Sequence, residues 1–208
     1  MKMFNVRLYI LAGLFIAALS FDSLPQPSTF RFSLIDHSLV SISGTTNIKK
    51  FNCISNELFP ERQAVFYKSE FENFLSFEKA SLNVSVSRLD CGNKEMNKDL
   101  THILNGKQYP YIHIDLLNIS WANKASVNKI PTCMKAIVRI IITNKAQLDS
   151  VFVNVTQQEN QQLVVGGQLP LKLSDFGIKS PTAMLGMIKI RDRIFVKFDL
   201  IIHYSLSD

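Results

Sequence analysis

Three adjacent residues, Asp36, His37 and Ser38, have the side-chain types of a hydrolytic triad. Successive side chains of a strand point to opposite faces, so these three cannot pass a proton from one to the next. A turn whose side chains bond nearby backbone amides is the better interpretation. His113 and Asp115 share one face, where two metal ligands could meet, but a polar outer face explains the same spacing. A hydrolase or metal enzyme is therefore the weakest hypothesis, and we predict no catalytic residue, metal or cofactor.

Three cysteines, Cys53, Cys91 and Cys133, could form a disulfide. An odd number allows at most one bridge within the chain. We expect the pair Cys53–Cys91, because each of these residues lies at the end of a predicted strand. Three unpaired thiols are the alternative. A lasting bridge requires an oxidising compartment, so the expectation depends on export of the chain.

The N-terminus has the organisation of a secretory signal. Lys2 and Arg7 precede an apolar run over residues 8–19, which is short for a membrane span. Residues 18–20 are small enough for cleavage nearby. We expect a signal peptide at residues 1–20, a linker at 21–29 and a single domain at 30–208. The mature protein would then be periplasmic or secreted. An uncleaved N-terminal anchor is the alternative.

The charge of the chain is moderate. The formal net charge is +6, and without the two basic residues of the signal it is about +4. No long run of lysine and arginine occurs, and Lys49-Lys50 is only a pair. This pattern is typical of a solvated surface, and we predict no binding of nucleic acid.

The elements that position these residues are mostly strands. Apolar residues alternate with a period of two over 82–86, over 111–116 and most clearly over 194–202. Between the first two of these runs, apolar residues repeat at helical spacing, with Asn93 as the predicted N-cap and Gly106 as the predicted end. We expect this helix, near residues 93–106, to pack against one end or side of the sheet as a plug. A gating lid is the alternative.

Several irregularities interrupt the strands. A change of phase at Leu116-Leu117 predicts a β-bulge, and Gly166-Gly167 predicts a break in one strand. Residues 57–77 show no clear period and predict a mixture of strand and loop with aromatic anchors, among them Phe66 and Phe77. About eight or nine short strands, with one helix and no alternation of strand and helix, predict an antiparallel barrel or sandwich.

Segments spread along the chain resemble a known family. They read LIDHS at 34–38, YPYIHI at 109–114, LKLSDFGI at 171–178 and MIKIRDRIFVKFDL at 187–200. The chain resembles the exported YceI-like proteins, the polyisoprenoid-binding, lipocalin-like family, and residues 89–100 resemble its cysteine-bearing branch. The resemblance covers most of the chain after the signal. One departure is Ile142–Lys145, where the family often has a glycine-containing turn and Asn144 is expected to supply the left-handed residue.

The resemblance implies an all-β, antiparallel, lipocalin-like barrel of about eight strands that holds a long isoprenoid chain. The implied function is that of an exported, non-enzymatic carrier of a polyisoprenoid or a quinone-like lipid, with that lipid as the bound group. The residues themselves predict only apolar inward faces, which could line a tunnel or fill a dry core. The candidate lining residues are Phe30, Phe32, Ile112, Ile114, Val196, Phe198 and Leu200. A filled barrel would indicate an envelope structural or interaction module instead, and a homodimer or an envelope protein partner is a further expectation.

Overall fold

The computed structural model describes residues 27–207, apart from 36, 58, 70–72, 123–131, 180–181, 184 and 186. The predicted signal peptide and most of the predicted linker lie outside the described residues. The first strand begins at Pro27, three residues before the predicted domain boundary at Phe30. Proline is tolerated at the first residue of a strand because its missing N–H costs little there. Strand β1 therefore includes residues 27–29, the last three of the predicted linker.

The described residues form strands joined by short turns, together with a single α-helix. In chain order the elements are β1 (Pro27–Leu34), β2 (Leu39–Thr46), β3 (Lys50–Ser55), β4 (Arg62–Lys68), β5 (Phe74–Glu78), β6 (Ser81–Ser85), β7 (Leu89–Asp90), α1 (Lys94–Ile103), β8 (Tyr111–Ser120), β9 (Cys133–Ile142), β10 (Lys145–Gln158), β11 (Gln162–Lys172), β12 (Thr182–Ala183) and β13 (Ile188–Ser207). No helix among these residues is both long enough and apolar enough to cross a bilayer.

Eight of the strands close into a ring. The order is β1, β4, β5, β8, β9, β10, β11 and β13, and β13 pairs back onto β1. Every pairing in this ring is antiparallel. The prediction of an all-β, antiparallel, lipocalin-like barrel of about eight strands is confirmed. Closure leaves none of the eight strands with an unpaired edge along the ring.

The wall differs between the two ends of the barrel. One edge of β13 pairs with β2 near its start and with β1 near its end. In the same way, β8 pairs with β6 near its start and with β5 near its end. At the end of the barrel where β13 begins, which we call the α1 end, the wall continues through β2, β3 and β7. At the opposite end, which we call the β1 end, it continues through β1, β4 and β5.

Helix α1 begins as predicted and ends differently. The side-chain oxygen of Asn93 accepts hydrogen bonds from the N–H groups of Glu95 (2.9 Å) and Met96 (3.2 Å), which is N-capping. The helix ends at Ile103, and the left-handed residue after it is Asn105, at φ 49°, not Gly106. A Cβ at Gly106 would lie 2.9 Å from Val86 Cγ1, so glycine is needed there for close packing.

The turns and bulges match the sequence in part. The β-bulge is confirmed by a register shift between Leu116 and Asn118. The turn between β9 and β10 has positive φ at both Thr143 (49°) and Asn144 (63°), as a type I′ hairpin requires. The break expected at Gly166-Gly167 is wrong, because β11 pairs through both glycines without a register shift.

Candidate ligand-binding cavity

The barrel encloses a cavity of about 1080 Å³. This volume lies just above the range of about 300–1,000 Å³ that is usual for small-molecule sites. Alternation along the strands produces the cavity, since every second residue points inward. All seven residues proposed from the sequence as lining lie on its wall, and they are Phe30, Phe32, Ile112, Ile114, Val196, Phe198 and Leu200.

The interior is only partly filled by side chains. Inward residues of β9 and β10, such as Ile140 (3% exposed) and Val153 (6%), are buried among their neighbours. Inward residues of β1 and β13, such as Phe32, Val196 and Phe198, line the same space but remain partly accessible. Inward side chains of a filled barrel would be buried all round. The accessibility of these residues therefore reflects open space inside the ring.

An aromatic cluster forms the wall toward the β1 end. The ring of Phe30 lies 5.7 Å from that of Phe32, 5.8 Å from that of Phe66 and 6.2 Å from that of Phe77, measured between centroids. These distances are typical of favourable aromatic pairs. Phe66 and Phe77 come from β4 and β5, the region that the sequence left as mixed strand and loop. Ala64 and Phe66, two positions apart, are the apolar alternation that could have identified β4.

The charged side chains on the cavity wall lie at its two ends. Lys49, which is exposed, and Asp99 lie at the α1 end. Lys68 of β4 and the polar Gln157 of β10 lie at the β1 end and are also exposed. Exposed residues therefore line both ends of a cavity whose middle is apolar, and we call this apolar space the tunnel.

Helix α1 contributes to the wall at its own end. Met96, Leu100 and Ile103 of the helix line the cavity together with Ile188 and Ile190 of β13. None of the residues between Lys94 and Ile103 is fully buried. The apolar stripe predicted for the helix therefore faces the tunnel, in the position expected for a plug at one end of the barrel.

A disulfide joins Cys53 of β3 to Cys91, three residues before α1. Both cysteines line the cavity, and Cys53 is only 1% exposed. The pairing of β3 with β7 next to it spans only two residue pairs, so the bridge reinforces a weak part of the wall. This is the pair expected from the sequence, and Cys133 is the exposed free cysteine.

Hydrogen bonds hold the start of α1 against the disulfide. Asn97 accepts a hydrogen bond from the N–H of Cys91 (2.7 Å) and donates one to Asp90 (3.0 Å). Asp90 also accepts from the N–H of Gly92 (2.9 Å). The hydrogen bond from Asn97, followed by that from Gly92, lowers the pKa of the Asp90 carboxyl below its ordinary value of 3.8.

The residues that suggested chemistry are engaged in structural contacts. Ser38 Oγ accepts from the N–H of Ile201 (3.0 Å) and lies 3.2 Å from the carbonyl oxygen of the same residue. His37 has a positive φ of 73° in the turn, and Asp36 lies outside the described residues.

On the outer face, His113 Nδ1 lies 2.8 Å from Asn83 Oδ1. Asp115 accepts from Arg139 (2.9 Å) and from Ser81 (2.7 Å). Over the part of the chain that the structure describes, no three His, Cys, Asp or Glu side chains are grouped so that they could hold a metal ion.

Comparisons with known proteins support the fold. BcnA of Burkholderia cenocepacia is 19% identical, with 79% of this chain and 95% of that one covered and a TM-score of 0.51. A polyisoprenoid-binding domain of Saccharophagus degradans, implicated in plant cell wall breakdown, is 11% identical, with coverages of 85% and 98% and a TM-score of 0.59. The chain has the lipocalin-like, YceI-like fold. A scan against protein-family models finds no match, and neither does a search of the curated proteins.

At these identities the likeness shows the YceI-like fold alone. A YceI protein of Campylobacter jejuni also matches, at 12% identity over 70% of this chain and 80% of that one, but its TM-score of 0.48 carries no argument. Among these neighbours, the Saccharophagus degradans domain is described as polyisoprenoid-binding. What this chain binds has to be argued from its own cavity.

Proposed function

We propose that this YceI-like chain is a non-enzymatic carrier of a long apolar lipid, of the polyisoprenoid or quinone-like class, held in the tunnel of the barrel. The observation that carries the proposal is the tunnel itself, about 1080 Å³ with an apolar middle and charged side chains only toward its ends. Burial of an apolar chain there contributes about 25 cal/mol per Å² of surface removed from water. A chain threaded through the tunnel would remove most of its surface from water.

The open interior also counts against the alternative function. An envelope interaction module with a filled barrel needs inward side chains that are buried all round. Phe32, Val196 and Phe198 are inward and still partly accessible. No observation favours that alternative, and neither a homodimer nor an envelope partner is supported beyond its sequence-based prediction.

Export of the protein is part of the proposal. The apolar run over residues 8–19, preceded by Lys2 and Arg7, is typical of a signal peptide. The Cys53–Cys91 bridge supports the same conclusion, since disulfides persist in oxidising compartments. We therefore place the carrier in the periplasm or outside the cell, with no cofactor other than its lipid.

Native mass spectrometry tests the carrier function. The protein is purified from its native envelope and weighed under native and then denaturing conditions. We expect an adduct of lipid mass that is lost on denaturation. A protein that carries no adduct, and takes up none when polyisoprenols and isoprenoid quinones are offered, would contradict the proposal.

Two neighbouring valines of β11 supply a matched pair of variants. Val165 lines the cavity and pairs with Leu200, whereas Val164 pairs with Ile201 on the other face of the sheet. Val165→Trp fills part of the tunnel, and we expect at least about tenfold weaker lipid binding, the equivalent of a few buried methylene groups. Val164→Trp adds the same ring outside and should leave binding unchanged. Equal affinity in the two variants would place the lipid elsewhere.

A further inference from the structure

Large apolar side chains are exposed at the rim of the cavity at the α1 end. Ile48, in the turn between β2 and β3, and Met187, just before β13, are each 67% exposed, and Leu185 is fully exposed. Ile48 and Met187 are flanked in sequence by residues of the cavity mouth, and Leu185 precedes Met187 by two positions. Thr46 and Lys49, on either side of Ile48, line the cavity, as does Ile188, which follows Met187.

Hydrogen bonds hold this rim in a defined shape. Thr46 Oγ1 accepts from the N–H groups of Ile48 (3.1 Å) and Lys49 (2.9 Å), which fixes the tip of the turn. Asn47 then joins the turn to the segment before β13. Its side chain donates to the carbonyl oxygen of Met187 (3.3 Å) and accepts from the N–H of Lys189 (2.8 Å). Ile48 and Met187 are therefore presented together, on backbone that is tied at both places.

Lysines surround these apolar residues. Lys49, Lys50 and Lys189 are all exposed, and the last two lie on strand faces that point away from the cavity. Helix α1 beside the mouth carries Lys94 and Lys98 but also Glu95 and Asp99, so its charges balance. We define the docking rim as the exposed residues Ile48, Leu185, Met187, Lys49, Lys50 and Lys189.

We propose that the docking rim binds the surface of an anionic lipid bilayer, with Ile48, Leu185 and Met187 inserted and the lysines among the head groups. Exposed apolar side chains ringed by lysine are the features that bind an interface of this kind. Each lysine near an anionic surface adds electrostatic attraction, and insertion of the apolar side chains adds to the binding free energy. This inference rests on the proposed function, because it brings the mouth of the tunnel to the membrane from which a lipid would be taken.

Co-sedimentation with vesicles tests the docking rim. Vesicles of phosphatidylcholine with phosphatidylglycerol, free of isoprenoids, are compared with vesicles of phosphatidylcholine alone. We expect the wild-type chain to prefer the anionic vesicles and Ile48→Ser/Met187→Ser to bind them at least about tenfold more weakly. Lys50→Glu/Lys189→Glu should weaken binding by about fivefold or more per lysine, and less at high salt.

The outer wall provides a matched control. Leu148 and Phe152 of β10 are 67% and 69% exposed, close to the values of Ile48 and Met187, but they alternate with the inward residues of the strand and lie on the outer face of the wall. Leu148→Ser/Phe152→Ser should bind vesicles like the wild type. All variants keep the same N-terminus, so any membrane affinity of residues 8–19 is common to them. Equal losses in Ile48→Ser/Met187→Ser and Leu148→Ser/Phe152→Ser, or no loss in either, would overturn the proposal.

A second measurement reports position directly. Ile48→Trp should be quenched by brominated phospholipid in the anionic vesicles, whereas Phe152→Trp should not. An unquenched Ile48→Trp overturns the proposal even if residues 8–19 hold every variant on the membrane. So does sedimentation velocity that shows a dimer abolished by Ile48→Ser/Met187→Ser, since the rim would then bind a second copy.

Native mass spectrometry of the same variants separates the two proposals. The serine variants should keep their lipid adduct, because neither side chain lines the cavity. A wild-type chain that keeps its lipid but does not bind anionic vesicles would overturn membrane binding by the docking rim and leave the carrier function standing. A wild-type chain that binds the vesicles but carries no lipid would support the docking rim and contradict the carrier function.

Discussion

The ring of Phe198 lies directly over Gly167 on the inner face of the barrel. A Cβ at position 167 would come within 2.5 Å of Phe198 Cζ and 3.2 Å of the carbonyl oxygen of Phe152. The two residues are paired across β11 and β13. The missing side chain of one therefore makes room for the ring of the other, which would otherwise project farther into the tunnel.

Gly167→Ala should displace this ring and lower stability. Overpacking of this kind costs about 1–3 kcal/mol, measurable as a lower urea midpoint. Gly166→Ala is the control, since a Cβ there would lie 3.1 Å from the flexible Asp199 side chain and at an ordinary contact distance of 3.9 Å from the Phe198 carbonyl oxygen. Adding Phe198→Leu to Gly167→Ala should recover stability, because the smaller side chain leaves room for the Cβ. An equal loss of stability in Gly166→Ala and Gly167→Ala would show that the ring of Phe198 is not the cause.

The Cys53–Cys91 bridge closes 38 residues of sequence separation. In the chain-entropy model, a loop of this length corresponds to about 4 kcal/mol of stability. Cys53→Ser/Cys91→Ser should lower the free energy of unfolding in urea by an amount of this order. Cys133→Ser, at the exposed free cysteine, should leave it unchanged. If the double variant were as stable as the wild type, the bridge would not be constraining the unfolded chain.

The lowered pKa of Asp90 predicts a pH dependence of definite sign. Since the hydrogen bond from Asn97 favours the ionised carboxyl, Asp90 contributes stability above its ordinary pKa of 3.8, and this contribution is lost as the pH falls through the folded-state value. Asn97→Ala should raise the pKa toward 3.8 in an NMR titration. An unchanged titration would mean that Asn97 does not stabilise the carboxylate.

The N-cap of α1 should affect the helix locally. Asn93→Ala removes the acceptor for the N–H groups of Glu95 and Met96, a loss of about 1 kcal/mol. Hydrogen exchange of the amides of α1 should become faster, while that of β9 should not. Asn93→Asp keeps an acceptor and should preserve protection. Faster exchange in both variants would indicate that the amide makes some other necessary contact.

Much of the barrel could be predicted because inward and outward residues alternate along its strands. The run from Ile194 to Ile202 lies within β13, and the phase shift at Leu116 is the bulge. The sequence does not distinguish β4 and β5 from loop, because each is a short strand with only a few alternating residues. Their place in the ring is decided by partners distant in sequence.

The glycine break was wrong for a related reason. Gly166-Gly167 suggested an interruption because glycine lacks a side chain that packs on its neighbours. Phe198, some thirty residues later in the chain, supplies the missing surface, and that pairing cannot be read locally. The candidate lining residues lie on the cavity wall. Alternation alone does not predict whether the barrel is hollow, because that depends on how completely the inward side chains fill the space between opposite strands.

The long strand β13 determines when the barrel can close. Its twenty residues pair with β11, β1, β2 and β12, all of which precede it in the chain. Until β13 is present, β1, β2 and β11 each keep an unpaired edge, and the apolar faces of the sheet have no enclosure. During synthesis the ring therefore cannot form ahead of this strand. A chain interrupted before Ile188 would expose open sheet edges, the usual starting point of aggregation.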